Sequence, residues 1–249
     1  MSLSRKKFFF IGIILVLSIT VVFSNHYWRV QEYYFRYKFD LSTQQKPVRS
    51  QLRIESILEE FNSKQYRDLK KEYKSYTKSD QHNYVNLLQH KEYLEIGRND
   101  FYKYIVGNFR IEDLLCKDKY YRQALSNQSS SYYWLINEKL LLKLLALQYE
   151  LEAAGYDKHG FTITNGHRHP QYNERIGGAK LSRHIHGEAI DLYIQDINKN
   201  GKYDKQDKEI VLDILEKKVI RDEGGIGLYP NTRVVHFDVR GYRARWNEY

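Results

Sequence analysis

Cysteine is nearly missing from this chain: Cys116 is the only one in 249 residues. That excludes an intrachain disulfide and a cysteine-based metal cluster, so any metal is expected to rest on histidine and carboxylate. Zinc-finger spacings and glycine-rich phosphate loops are missing too, which leaves nucleic acid with little support as a partner. Acidic residues are the minority, 31 against 40 lysines and arginines, for a net charge of +9. Such a surface suits anionic lipid, nucleic acid or an anionic wall polymer, and does not choose among them.

Charge of either sign is absent from Phe8 to Asn25, directly after Arg5, Lys6 and Lys7. An uncharged apolar run of that length is close to the minimum for a spanning helix. Its basic flank places the N-terminus in the cytoplasm, and Tyr27 and Trp28 follow as interfacial aromatics. A cleaved signal peptide is the alternative, but no A-x-A-like site is present. Either reading exports everything after residue 28. Residues 29–50 then read as an aromatic, basic linker. From about Ser50 to Gly107 apolar residues such as Ile54, Ile57, Leu58 and Phe61 recur at helical spacing, which predicts a helical spacer or small bundle.

A second unit begins near "NFRIEDLL" (108–115). A long amphipathic helix is expected over 131–155, closed by Gly155. "FTIT", "EAIDLYI" and "VVHFDV" read as strands, with a helix at "KEIVLDILEKK". This order predicts an α+β domain, helices packed on a small antiparallel sheet.

The ionisable residues concentrate around two of those strands. Strand alternation puts Ile190, Leu192 and Ile194 on one face of "EAIDLYI", and Ala189, Asp191 and Tyr193 on the other. In "VVHFDV", Val235, Phe237 and Val239 share one face, and His236 and Asp238 the other. His184 sits in the preceding turn, "SRHIHGEAIDL". If the strands pair, His184, Asp191 and His236 converge. Two imidazoles and a carboxylate with one open position suit a catalytic zinc. A hydrogen-bonded polar turn and an acid/base site remain alternatives on spacing alone.

The same stretch matches S-x-H-x-x-G-x-A-x-D at Ser182, His184, Gly187, Ala189 and Asp191. That pattern resembles the zinc D-alanyl-D-alanine carboxypeptidase and peptidoglycan endopeptidase family, which shares its fold with the hedgehog signalling domain. "TNGHRHPQYNERIGGAKLS" and "GGIGLYPNTRVVHFDVRGYRARW" resemble its flanking segments. The resemblance covers about residues 108–249. It implies that His184, Asp191 and His236 are zinc ligands and that Arg168 binds a substrate carboxylate, which a guanidinium can hold bidentately. Several relatives place an acidic base three residues before the last histidine ligand; here that position is Arg233. Asp238 is then the expected substitute, as base or as a residue orienting a ligand, and His169 is next among the neighbouring histidines.

Between the two strands, "DINKNGKYDKQD" (196–207) resembles an EF-hand or dockerin calcium loop. Its oxygen donors would be Asp196, Asn198, Asn200, the Lys202 carbonyl, Asp204 and Asp207. The expected organisation is thus a membrane anchor over residues 1–28, linker and spacer over 29–107, and a zinc peptidase-like domain over 108–249 with a calcium-loop insertion at 196–207. The expected protein is a single-pass membrane-anchored zinc peptidase facing the periplasm or cell wall. Its partners are peptidoglycan peptides and the membrane, with no nucleic acid. It would act as a D-Ala-D-Ala carboxypeptidase or as a crosslink endopeptidase. The alternative is a noncatalytic wall-binding or scaffold protein that keeps the fold.

Overall fold

The computed structural model describes residue 36 and residues 38–40, 45–126 and 130–247. The anchor expected over residues 1–28 lies outside the described residues. Among the described residues no helix is long and apolar enough to cross a membrane. Residues 1–44 and 45–249 form two compact units, and the architecture below is that of the second.

Its strands in chain order are β1 (Asn62–Gln65), β2 (Glu92–Ile96), β3 (Tyr104–Val106), β4 (Phe109–Arg110) and β5 (Tyr132–Trp134). Then follow β6 (Phe161–Asn165), β7 (Ala189–Ile194), β8 (Gly225–Gly227), β9 (Val234–Asp238) and β10 (Ala244–Trp246). The main sheet runs β10-β8-β9-β7-β6, a second sheet runs β1-β2-β5, and β3 pairs with β4. The α+β class is as expected. One detail differs: β10 lies parallel to β8, so the main sheet is mixed rather than wholly antiparallel.

The expected alternation is realised. Ile190 pairs with Phe237 and Leu192 with Val235 across β7 and β9, and all four are buried. The helix Glu138–Ala153 packs against β3 and the helix Lys205–Ile214, with Leu140, Leu141, Leu144 and Leu147 buried. It ends as predicted, with Gly155 at φ +80° after the last turn. It begins later than the sequence reading had it, because Tyr132–Trp134 is a strand and Asn137 caps the helix through Lys139 N. Aromatic and bulky residues in a row favour a pleated, buried strand over a helical turn.

The segment 50–107 departs from the expected helical spacer. It contains the helices Gln51–Leu58, Lys71–Thr77 and His82–Leu88, but also β1, β2 and β3. Strand β2 pairs with β5 of the following segment, and Val48 bridges Gly107. Tyr66, Leu69, Tyr73, Tyr84, Leu88 and Tyr93 form one buried cluster with Tyr133, Leu135 and Ile185. Tyr66, Tyr73, Tyr84 and Tyr93 put their rings into this core. A phenol buries a large ring while its hydroxyl finds a partner, as Tyr66 does with Ser79 O at 2.8 Å.

Candidate metal centre

Antiparallel register places Asp191 of β7 directly opposite His236 of β9, and Ala189 opposite Asp238. His184 reaches them from the turn before β7. Its main chain is laced to the loop after β6: Arg168 N donates to His184 O at 3.0 Å, and His184 Nδ1 donates to Gly166 O at 2.7 Å. That second bond fixes the tautomer, leaving the Nε2 lone pair for the centre. His184 Nε2 then lies 3.1 Å from Asp191 Oδ1 and 3.2 Å from His236 Nδ1, and His236 Nδ1 lies 2.7 Å from Asp191 Oδ1. All three side chains are buried. One donor atom from each points at one small space, the arrangement expected for the trio.

Two glycines make the close approach possible. At Gly166 a Cβ would meet Leu114 O at 2.4 Å, where His167 N bonds that same carbonyl. At Gly187, φ is +65° and a Cβ would meet Leu135 O at 2.3 Å. Gly187→Ala combines left-handed strain of about 1–2 kcal/mol with a backbone clash. A loss of about 3 kcal/mol is expected, read as a fall in Tm of about 6–12 °C for a unit of this size. An unchanged Tm would refute the close packing.

The electrostatics prepare the donors. Burial would raise the Asp191 carboxyl, but His184 and His236 beside it hold it well below its ordinary range. Burial lowers His184, keeping its imidazole neutral. His236 goes the other way: burial lowers it, but its hydrogen bonds to Asp191 and Asp238 outweigh that and raise it. A bound cation would compete with a proton for that imidazole.

Asp238 lies on the far side of the His236 ring from the trio. Its Oδ2 faces His236 Nε2 at 3.4 Å, while Asp191 faces Nδ1. Arg240 grips it through Nε at 2.8 and 3.0 Å, and Gly225 N donates to its Oδ1 at 3.0 Å. Burial would raise this carboxyl, but bonds from His236 and Arg240 hold it far below the usual carboxylate range. At Gly225 a Cβ would meet Asp238 Oδ2 at 2.3 Å, so that glycine makes room for the carboxylate. Arg240 was not foreseen. The signal was its place two residues after Asp238, but partners that close on a strand end are decided by how the chain turns.

Arg168 pairs with Asp191 Oδ2, the oxygen not turned to the histidines. Its Nε is buried without a hydrogen-bond partner, and it lines a cavity of about 180 Å3 with Thr164, His167 and Tyr172. His169 is not brought to the trio. Its Nδ1 meets Asp118 Oδ2 at 2.8 Å and its side chain is fully buried there. Arg233, at the position of the missing base, donates Nε to Ile194 O at 3.0 Å and lies over the rings of Tyr193 and Tyr203.

The calcium expectation finds no support. In the 196–207 loop Asp196 accepts from Asn200 N and Gly201 N, and Asn198 and Asn200 accept from the backbone of residues 200 and 202. Asp204 caps the helix Lys205–Ile214 through Gln206 N. Asp207 accepts from Ile197, Asn198 and Asp204 N, and Lys202 is exposed. The acceptors close a turn and start a helix, which is work that Asp and Asn do without a cation.

Comparison with known proteins agrees with this geometry. Residues 107–238, more than half of the chain, match the family model of peptidase M15. No curated protein and no solved structure matches the sequence significantly.

Proposed function

This chain belongs to the peptidase M15 family, and from that premise we propose that it hydrolyses peptide bonds in peptidoglycan stem peptides or their crosslinks. It is a zinc peptidase by family, and the observation that carries the reading here is the convergence of His184 Nε2, Asp191 Oδ1 and His236 Nδ1 within 3.2 Å of one another. The fit to zinc is chemical as well as geometric: two imidazoles whose other nitrogens are engaged, plus an ionised carboxylate, are a common catalytic set. Zinc held there supplies a Lewis acid for the scissile carbonyl and brings the pKa of bound water towards neutrality.

The chain's own residues do the rest. Asp238 holds His236 in the tautomer that presents Nδ1, and Arg240 keeps Asp238 ionised and in place. With both oxygens engaged, Asp238 is a positioning residue rather than the base. Arg168 orients Asp191 and lines the adjoining cavity, where its guanidinium would meet a substrate carboxylate. Cleavage of a terminal D-alanine and cleavage of a crosslink both satisfy this arrangement. The uncharged run from Phe8 to Asn25 behind three basic residues supports a single-pass anchor that keeps the catalytic unit outside the membrane, at the wall. The net charge of +9 favours the same anionic surroundings.

The test is incubation with purified peptidoglycan, with released peptides identified by mass spectrometry, for the wild type and Asp238→Asn. Wild-type products name the bond. As a positioning residue, Asp238 should cost about 10–100-fold in zinc affinity when changed, with activity recovered at saturating zinc. A loss that persists at saturating zinc would make Asp238 the base. The rival reading, a noncatalytic wall-binding protein, draws on Arg233 standing where relatives carry an acid; bound zinc without cleavage on several wall chemistries would favour it.

A further inference from the structure

A second group of metal-ligating side chains lies outside the trio. Cys116, Asp118 and His169 each offer one donor atom, and these atoms lie within 4.8 Å of one another. We propose that they form a second, structural zinc-class site, pinning the segment 114–118 to the loop that carries Arg168.

The donor set is specific. A thiol, a carboxylate and an imidazole suit a borderline-soft divalent ion and match neither calcium nor magnesium. Their exposures are 3, 3 and 0 %. Two potential anions that dry need a cation nearby. At present a proton fills that place: His169 Nδ1 and Asp118 Oδ2 stand 2.8 Å apart and share it. Exchange balances in charge. A divalent ion enters, one proton leaves His169 and one leaves the Cys116 thiol, and the thiolate and carboxylate neutralise the ion.

The frame is built as well. Asp118 Oδ1 is engaged by Tyr121 N at 3.0 Å, which leaves Oδ2 turned to His169 Nδ1 at 2.8 Å. The Tyr132 hydroxyl lies 3.4 Å from His169 Nε2 and 3.3 Å from Cys116 O. Rings of Tyr73, Tyr120 and Tyr132 surround the imidazole, with centroids 5.5, 5.9 and 5.6 Å away. Donors around a tetrahedral zinc stand about 3.3–3.8 Å apart, given bonds of about 2.0–2.3 Å, so His169 Nδ1 and Asp118 Oδ2, at 2.8 Å, have to part slightly. A site this closed loads as the chain folds, so its binding energy is folding energy. Its consequence for the first centre runs through neighbours in sequence: His169 follows Arg168, which clamps Asp191.

The experiment uses the full chain purified in detergent after growth with zinc, or with cobalt in its place. Two metal equivalents per chain are expected for the wild type and one for Cys116→Ser. With cobalt, a sulfur-to-metal charge-transfer band in the near ultraviolet is expected, since Cys116 is the only cysteine. His184→Ala should keep that band while losing the other equivalent, which separates failure of this site from failure of the catalytic one. Absence of the band in the wild type overturns the proposal whatever the stoichiometry, and needs no variant to fold.

Discussion

Peptide release from peptidoglycan is expected to fall by about a thousandfold or more when His184 is replaced by alanine. The change removes the Nε2 donor, and with it the site's grip on its ion. Lewis-acid stabilisation of the reacting carbonyl contributes several kcal/mol, and each 1.36 kcal/mol is tenfold in rate. The same change removes the bond from Nδ1 to Gly166 O, which joins the turn before β7 to the loop after β6. Elemental analysis and the peptide assay on one preparation check the result together. Full activity with one equivalent of zinc fewer would place catalysis elsewhere. Full activity with unchanged zinc would remove His184 from the ligand set.

The second large effect is on folding. Removing residues 1–107, at the boundary drawn from sequence, is expected to leave residues 108–249 without a cooperative thermal transition, while residues 45–249 unfold in one. The lost segment supplies Tyr66, Leu69, Tyr73, Tyr84, Leu88 and Tyr93 to a core shared with Tyr133, Leu135 and Ile185. At about 1.5–3 kcal/mol per buried side chain, that interface is on the order of 10 kcal/mol, comparable with the whole stability of a domain, about 5–15 kcal/mol. Strand β5 would also lose its β2 partner and become an open edge. Ion pairs crossing the cut, Lys91 to Glu188 and Lys78 to Glu174 at 2.8 Å each, are partly exposed and add little. Circular dichroism melts of the two lengths decide it; equal Tm values would restore the spacer reading.

Much of the centre was legible from local pattern. A strand has a period of two, so Asp191 and His236 had to share a face opposite the core residues that flank them, and the antiparallel register of β7 and β9 then set them side by side. The turn-borne His184 followed from its spacing to Asp191 and from the family motif. Less was legible in the 196–207 loop. Its donors have the order of a calcium loop, but the same residues make turns and helix caps, and sequence does not distinguish an oxygen that binds a cation from one that accepts from an N–H.

What the sequence by itself determined was therefore short-range: which residues alternate into the sheet, where the long helix stops at Gly155, and which motif the ionisable residues spell. Only the tertiary structure decided the rest. It gave Asp238 to Arg240 and the far nitrogen of His236, turned the tyrosines of 66–93 inward, and drew the lone cysteine into a cluster with Asp118 and with His169, which lies 51 residues beyond Asp118. The physical reason is range. Backbone periodicity acts over a few residues, whereas a hydrogen-bond partner or a ligand set depends on where segments far apart in the chain are packed, and that is set by the burial of the whole core.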